Sequence, residues 1–364
     1  MSASIAGQGL SPSPDSRILV IRMSAMGDVV FALPVAEALR QWLPNAHIGW
    51  LVEDRHASLL KGHPCIDELV VFPRHASPLS SFSALKKIRQ TGPWDLVLDL
   101  QSKAKSALQL IALRSKRKIG FSKPVAIEGA HWFSHETVPA SKDWHHTYRN
   151  LSMLKHLGWP GEVKIPNSAL DAAPPFAWPM PVEIVAAIQA ELAGPAPILL
   201  HLTVSAYGKD KEWPLESWAE LAKNLAADGH PVKILWTQTD RQKADDLVAQ
   251  IGGGVDFAPA TPSLQHLMAL LDSAKLVIGC DSGPLHLAAK RGTPVLGLYG
   301  PTYPPQCCPP GPHQVVSVLA DGIKPPPRQR QVPSPLMKEL SANQVFKAAA
   351  EMLQTLQRLP INAG

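Results

Sequence analysis

The segment from Lys275 to Thr302, KLVIGCDSGPLHLAAKRGTPVLGLYGPT, alternates apolar runs and small-residue turns so tightly that it reads as strand, loop, helix, strand and second loop without a break. The first strand pattern, Leu276 to Gly279, ends at Asp281-Ser282-Gly283-Pro284. Small side chains there let backbone N–H groups approach an anion at the start of the helix that carries His286. The second strand pattern, Pro294 to Leu298, ends at Tyr299-Gly300-Pro301-Thr302. Ligands of open parallel sheets bind beyond the carboxyl ends of the strands, so both loops are expected to face one nucleotide site. Neither loop is a Walker A or a GxGxxG motif, which argues against an NTPase or an ordinary dehydrogenase.

The same alternation runs through most of the chain. Strand patterns at Ile18 to Arg22, Ile48 to Val52, Leu69 to Phe72 and Leu96 to Asp99 are interleaved with helical patterns at Val29 to Trp42, Leu79 to Gln90, Ala104 to Leu113 and Lys142 to Leu157. Beyond a stretch crowded with prolines, strands at Ile198 to Leu202 and Val232 to Trp236 and helices at Leu215 to Ala227, Asp240 to Gln250 and Ser263 to Asp272 lead into the opening unit. Such alternation predicts α/β domains with parallel sheets and helices on both faces. The 364 residues exceed what one core usually organises, so two doubly wound, Rossmann-like domains facing a central cleft are expected. The expected division is a flexible tail over 1–16, a first Rossmann-like domain over 17–159, a stiff proline-rich linker over 160–181, a second, nucleotide-binding Rossmann-like domain over 182–335, and a C-terminal helix and tail over 336–364. The last amphipathic helix is expected at Leu336 to Leu356, after a proline-rich crossing at Pro325 to Pro335.

Composition narrows the setting. No apolar run approaches the roughly 18 to 20 residues of a membrane-spanning helix. Met1 to Ser16 lacks the basic start and apolar core of a secretory leader. The four cysteines, Cys65, Cys280, Cys307 and Cys308, match no zinc spacing or disulfide framework, which fits a reducing cytoplasm. Residues 1–159 carry 19 Lys and Arg against 12 Asp and Glu, whereas the remainder carries 16 against 18. The basic half therefore favours an anionic partner, an acidic membrane surface or an acidic substrate, over nucleic acid, since no aromatics interleave the basic clusters.

Three constellations carry candidate chemistry. Ser24-Ala25-Met26-Gly27-Asp28 follows the first strand at the mouth of a helix, where Asp28 either takes a proton from an acceptor hydroxyl or only complements the helix dipole. In the polar loop His201 to Trp213, Thr203 and Ser205 suit phosphate oxygens, and Lys209 or Lys211 suits the charge of a leaving group. Lys211 is favoured, because Trp213-Pro214 fixes its end of the loop. At Asp281, Ser282, Gly283 and His286, the histidine is either a ligand contact or a structural group among leucines. There is no GxSxG, HExxH or DxD-like metal motif, and no metal or cofactor is expected.

These residues, in this order, resemble the lipopolysaccharide heptosyltransferases of glycosyltransferase family 9, heptosyltransferase I type, over roughly residues 17–302. The resemblance rests on Met26-Gly27-Asp28 with Leu33-Pro34, Asp99-Leu100-Gln101 with Lys105-Ser106-Ala107, Lys211-Glu212-Trp213-Pro214 with Trp218, and Asp281 to Leu287 with Tyr299 to Thr302. It implies the GT-B fold and an inverting, metal-independent transfer of heptose from ADP-heptose to the Kdo-lipid A inner core, an anionic glycolipid, at the cytoplasmic face of the inner membrane. It implies Asp28 as catalytic base and Lys211 as the lysine that stabilises the diphosphate. Donor contacts are implied for Thr203, Ser205, Lys211, Asp240, Asp281, Ser282, Gly283 and His286, and acceptor contacts for Ser24, Gly27, Gln101 and Lys105. Where the family pattern has an acidic ribose-binding residue, this chain has Arg241, with Asp240 just before it. Other readings stay open: a family 9 enzyme with another nucleotide sugar or glycan acceptor, a GT-B nucleotide-sugar epimerase, or a non-catalytic nucleotide-sugar sensor.

Overall fold

Two parallel sheets, each of six strands among the described residues, organise the chain, and both follow the order 3-2-1-4-5-6 of a doubly wound domain. The computed structural model describes residues 11–74, 78–162, 178–309 and 311–358. The chain forms two compact units, one built on 1–165 with 175–179, the other on 166–174 with 180–364. Most of the proline-rich connector expected over 160–181, the start of the expected tail and the last six residues lie outside the described residues.

The first unit runs β1 (Arg17–Ile21), α1 (Met26–Trp42), β2 (His47–Glu53), α2 (Asp54–Leu60), β3 (Glu68–Phe72), α3 (Pro78–Thr91), β4 (Trp94–Asp99), α4 (Ala104–Ala112), β5 (Ser115–Phe121), β6 (Glu136–Val138) and α5 (His146–His156). β1 sits centrally, flanked by β2 and β4, with Ile21 in register with Leu51 on one side and Asp99 on the other. Strands buried on both faces need unbroken apolar runs, which Ile18 to Ile21 and Leu96 to Leu98 supply. β5 breaks that rule. The run Arg114 to Lys118 reads as a basic cluster, yet residues 115–121 pair with β4 and β6. Its charges are carried outward: Arg117 donates twice to the Glu136 carboxylate at 2.8 and 2.9 Å, and Lys118 Nζ donates to the carbonyl of Leu110 at 2.5 Å.

The second unit runs α6 (Val182–Leu192), β7 (Ile198–His201), α7 (Leu215–Ala227), β8 (Val232–Leu235), α8 (Arg241–Ile251), β9 (Val255–Phe257), α9 (Leu264–Asp272), β10 (Leu276–Cys280), α10 (Gly283–Lys290), β11 (Val295–Tyr299), α11 (Pro304–Cys307), β12 (His313–Ser317), α12 (Leu336–Glu339) and α13 (Ala342–Arg358). The single helix expected over Leu336 to Leu356 is therefore two. Ser341 restarts it with a reciprocal cap, its hydroxyl accepting from the Gln344 N–H at 3.2 Å while Gln344 Oε1 accepts from the Ser341 N–H at 3.0 Å. The break leaves the Leu340 carbonyl free to accept from Trp213 Nε1 at 2.9 Å. Met337, Val345, Met352 and Leu353 complete the core of this unit with Trp213, Trp218 and the strands.

Candidate active site

In each unit the strand order reverses between the first and fourth strands, and the loops that leave those strands lie side by side. In the first unit these are the β1–α1 and β4–α4 loops, because β1 pairs with β4. Asp28 occupies the first turn of α1. Its Oδ1 lies 2.8 Å from Arg22 Nη2 and 3.5 Å from His146 Nδ1, and its Oδ2 accepts the Ala25 N–H at 3.3 Å. Burial alone would raise its pKa, but Arg22, His146 and the Ala25 N–H more than reverse that and hold the carboxyl well below the usual carboxylate range. Asp28 is thus ionised at neutral pH. His146 is pushed down by burial, which the Asp28 carboxylate only partly offsets, and Arg149 falls to about 10 through burial and the nearby Arg22.

The other acceptor-side candidates gather at the same edge, largely engaged with the protein itself. Gln101 Oε1 accepts the N–H groups of Met23 at 3.1 Å and Ser24 at 3.3 Å, so it shapes the loop before Asp28. Asp99 Oδ1 accepts the N–H groups of Gln101 and Ser102, both at 3.0 Å, and Oδ2 accepts the Ser106 hydroxyl at 2.9 Å. Burial lifts Asp99 to about 6 against those bonds. Lys105 Nζ contacts Glu53 Oε1, and Arg55 Nε lies 2.7 Å from Glu53 Oε2. Glu53 stays below its ordinary pKa because these cations outweigh the burial that would raise it. Ser24 and Gly27 are partly open to solvent.

In the second unit the β7–α7 loop and the β10–α10 turn are neighbours through the pairing of β7 with β10. Lys211 Nζ donates to the Asp281 backbone carbonyl and lies 3.2 Å from Asp281 Oδ2. Gly208 permits this path, since a Cβ there would stand 2.9 Å from Lys211 Cε. His286 Nε2 lies 2.8 Å from Asp281 Oδ1, so the histidine braces the aspartate. Burial works to raise Asp281, yet Lys211 and His286 hold it well below its ordinary value. Ser282 Oγ meets Nδ1 of His201, a group that burial drops to about 4 and leaves neutral. Gly283 opens α10 with its N–H groups toward the same edge.

At the end of β8, Asp240 precedes α8 and its Oδ2 accepts the Thr203 hydroxyl at 2.7 Å. Arg241 turns away. Its guanidinium carbon lies 4.5 Å from the Trp236 ring and 3.9 Å from the Phe257 ring, and Nε is 2.9 Å from Asp245 Oδ1. Ser205 and Lys209 are exposed. Among the described residues no three His, Cys, Asp or Glu side chains converge as a metal site.

Sequence reasoning missed Arg22, His146, Arg149, Glu53 and His201. Arg22 left a signal, a lone cation closing an otherwise apolar strand, and so did the His145-His146 pair at a helix start. Glu53 and Arg149 left none, because their neighbours are assembled by long-range pairing.

Two doubly wound units, the second with an anion-suited turn at its switch point, have the architecture of the GT-B class. The profile of "Glycosyltransferase family 9 (heptosyltransferase)" matches residues 82–335, and the chain belongs to that family. It is 28% identical over 298 residues to lipopolysaccharide heptosyltransferase 1 of Escherichia coli K12, covering 79% of this chain and 89% of that protein. It is 27% identical over 308 residues to lipopolysaccharide heptosyltransferase 1 of Pseudomonas aeruginosa, covering 79% of each. Solved structures share the fold. A family 9 glycosyl transferase from Veillonella parvula superposes with TM-score 0.77 at 21% identity over 95% of this chain and 99% of its own. E. coli heptosyltransferase WaaC with ADP superposes with TM-score 0.69 at 24% identity over 92% and 99%.

Proposed function

We propose that this glycosyltransferase moves heptose from ADP-heptose to the Kdo-lipid A inner core, with inversion and without a metal ion, as a peripheral protein on the cytoplasmic face of the inner membrane. The observation that carries the reading is the Asp28 carboxylate at the switch point of the first unit, set beside Arg22 and His146. Binding a nucleotide sugar needs no such group; deprotonating an acceptor hydroxyl does. In the proposed step the acceptor oxygen forms its bond to the anomeric carbon while the bond to the diphosphate oxygen breaks. The hydroxyl proton passes to the Asp28 carboxylate, and ADP leaves with the electron pair. A single displacement inverts the anomeric configuration.

Lys211 and the N–H groups at the start of α10 are suited to the departing diphosphate, so no divalent ion is needed to offset its charge. On binding, the diphosphate takes up the ammonium that Asp281 holds in the free protein. Asp240 at the end of β8 stands where an acidic residue meets ribose hydroxyls in dinucleotide-binding folds. Arg241, engaged by Trp236, Phe257 and Asp245, does not displace it from that role. This supports a ribonucleotide donor despite the departure from the family pattern, and the choice of ADP rests on the family resemblance. Ser24, Gly27, Gln101 and Lys105 are assigned to the acceptor side, and the basic first unit suits its carboxylates and phosphates.

The test is product mass after mixing the protein with Kdo-lipid A and ADP-heptose in EDTA, beside reactions with UDP- and GDP-sugars. A gain of one heptose with the ADP donor alone is expected. Transfer only from another nucleotide sugar, or only after added divalent metal, would overturn the donor or the metal assignment.

A further inference from the structure

The first unit exposes apolar side chains where its charge is most positive. On α4, Leu108 and Ile111 are each 57% exposed, one turn apart on the face that points away from the sheet. The turn at Ala130–Phe133 packs against α4 and presents Trp132, 75% exposed, and Phe133, with Ile127 just before it. α3 lies on the other side of α4 and exposes Phe82. α4 turns Ala107 and Leu110 inward and leaves Leu108 and Ile111 outside.

The patch is placed beside the acceptor-side loop. In a parallel sheet each connecting helix starts at the carboxyl edge, so the first turns of α3 and α4 and the loop after β5 share the edge that carries Asp28 and Gln101. Two bonds tie the β5 loop to the β4–α4 loop, from the Ile127 N–H to the Ser102 carbonyl at 3.1 Å and from the Ala104 N–H to Glu128 Oε2 at 3.0 Å. Residues 82–133 hold ten Lys and Arg against three Asp and Glu, and Lys86, Lys87, Lys103 and Lys123 are exposed among them. One of the three acids, Asp99, is buried.

We infer that this face, Leu108, Ile111, Ile127, Trp132 and Phe133, together with the exposed Lys86, Lys87, Lys103 and Lys123 of the same stretch, is the surface by which the protein docks on an anionic lipid bilayer. Tryptophan and phenylalanine with apolar neighbours suit the headgroup boundary, and the lysines are attracted by anionic headgroups within a Debye length. The inference rests on the proposed lipid-borne acceptor only for its purpose; the surface itself is tested without sugar transfer.

The experiment is co-sedimentation with vesicles of phosphatidylglycerol and phosphatidylethanolamine, beside vesicles of phosphatidylcholine, at low and high salt. Salt-sensitive binding to the anionic vesicles alone is expected. Leu108→Gln with Ile111→Gln, and Trp132→Ser alone, should each weaken it by about tenfold or more. Lys86→Glu with Lys87→Glu, on an exposed helix face where folding is not at risk, should weaken it by at least about fivefold per lysine. All three should retain the wild-type melting temperature and ADP affinity. Wild-type protein left in the supernatant, variants that bind like wild type, or a wild-type dimer that Trp132→Ser dissociates would overturn the inference. Vesicle binding without heptose transfer would instead leave the docking surface standing and remove the functional reading.

Discussion

Arg22 Nη2 stands 2.8 Å from Asp28 Oδ1, so the residue that follows β1 is the counter-ion of the residue proposed as catalytic base. Arg22 leaves β1 and Asp28 opens α1, and the Arg22 guanidinium is further fixed by the Leu100 carbonyl of the neighbouring loop. The pair opposes the rise in pKa that burial would cause at Asp28. Asp28→Asn retains the loop but removes the proton acceptor. Turnover should fall by about 10²- to 10⁴-fold, with ADP affinity by calorimetry unchanged. Equal turnover would remove Asp28 from the chemistry.

Because Arg22 lowers the Asp28 pKa, replacing it moves the acid limb of the rate. Asp28 is depressed in the folded state, so its contribution to stability is complete above its unfolded value near 3.8 and is lost as pH falls toward the depressed folded value. Wild-type kcat/KM should show no Asp28 limb above pH 4. In Arg22→Met, burial is opposed only by His146 and the Ala25 N–H, and a limb should enter at least about one pH unit higher than in wild type. Arg22→Lys should restore most of the wild-type profile. Superimposable profiles would mean that Arg22 acts on structure alone.

Lys211 is held by Asp281 in the free protein and is proposed to stabilise the diphosphate in the reaction. Lys211→Met should lower kcat by about 10²- to 10³-fold, the usual loss for one preorganised charge at a leaving group, and should weaken ADP binding. Lys209→Met, on the exposed side of the same turn, should change neither. Similar losses in both would point to general charge attraction rather than to a placed ammonium.

The proline-rich crossing, opaque in the sequence, has a physical anchor. Asp210, next to Lys211 and 1% exposed, accepts from Arg328 Nε at 2.6 Å and Nη2 at 2.7 Å, and its carbonyl accepts the Ser334 N–H at 3.3 Å. Removing one partner of a buried pair costs about 3 to 5 kcal/mol. Arg328→Gln should therefore lower the melting temperature, speed tryptic cleavage at Arg330, and raise KM for the donor more than it lowers kcat. An unchanged cleavage rate would show that the prolines, not the pair, hold this segment.

Legibility followed the range of the interactions. The apolar runs of β1, β4, β7 and β10 marked buried parallel strands, and the turn at Asp281-Ser282-Gly283 marked an anion-suited helix start, because both depend on neighbours in sequence. β5 was hidden by its own charges, which only the distant Glu136 and the Leu110 carbonyl explain. The clamp on Asp210 spans 118 residues, and the contact between Lys105 and Glu53 spans 52. Pairings of that kind leave no periodic trace. The helix break at Ser341 was readable in principle, since Ser341 and Gln344 form a capping box, but the apolar spacing runs through it unbroken.

Asp99 offers a test of how the loop before Asp28 is held. Its carboxylate is 1% exposed and lifted to about 6, so folding favours its neutral form. For a raised carboxyl the contribution to stability is complete below the unfolded value near 3.8 and is lost as pH rises through about 6. Asp99→Asn imitates the neutral form. Its oxygen can keep the N–H groups of Gln101 and Ser102, and its amide can donate to Ser106 Oγ, whose proton is already matched by the Lys103 carbonyl at 2.9 Å. Wild type should therefore lose stability relative to Asp99→Asn as pH rises from 5 to 7.5, by about 1.4 kcal/mol, the rest of the linkage having been lost between pH 3.8 and 5. Thermal melts of the two proteins across that range decide it. Parallel curves would mean that the three donors keep Asp99 ionised throughout, and that burial is not what sets its charge.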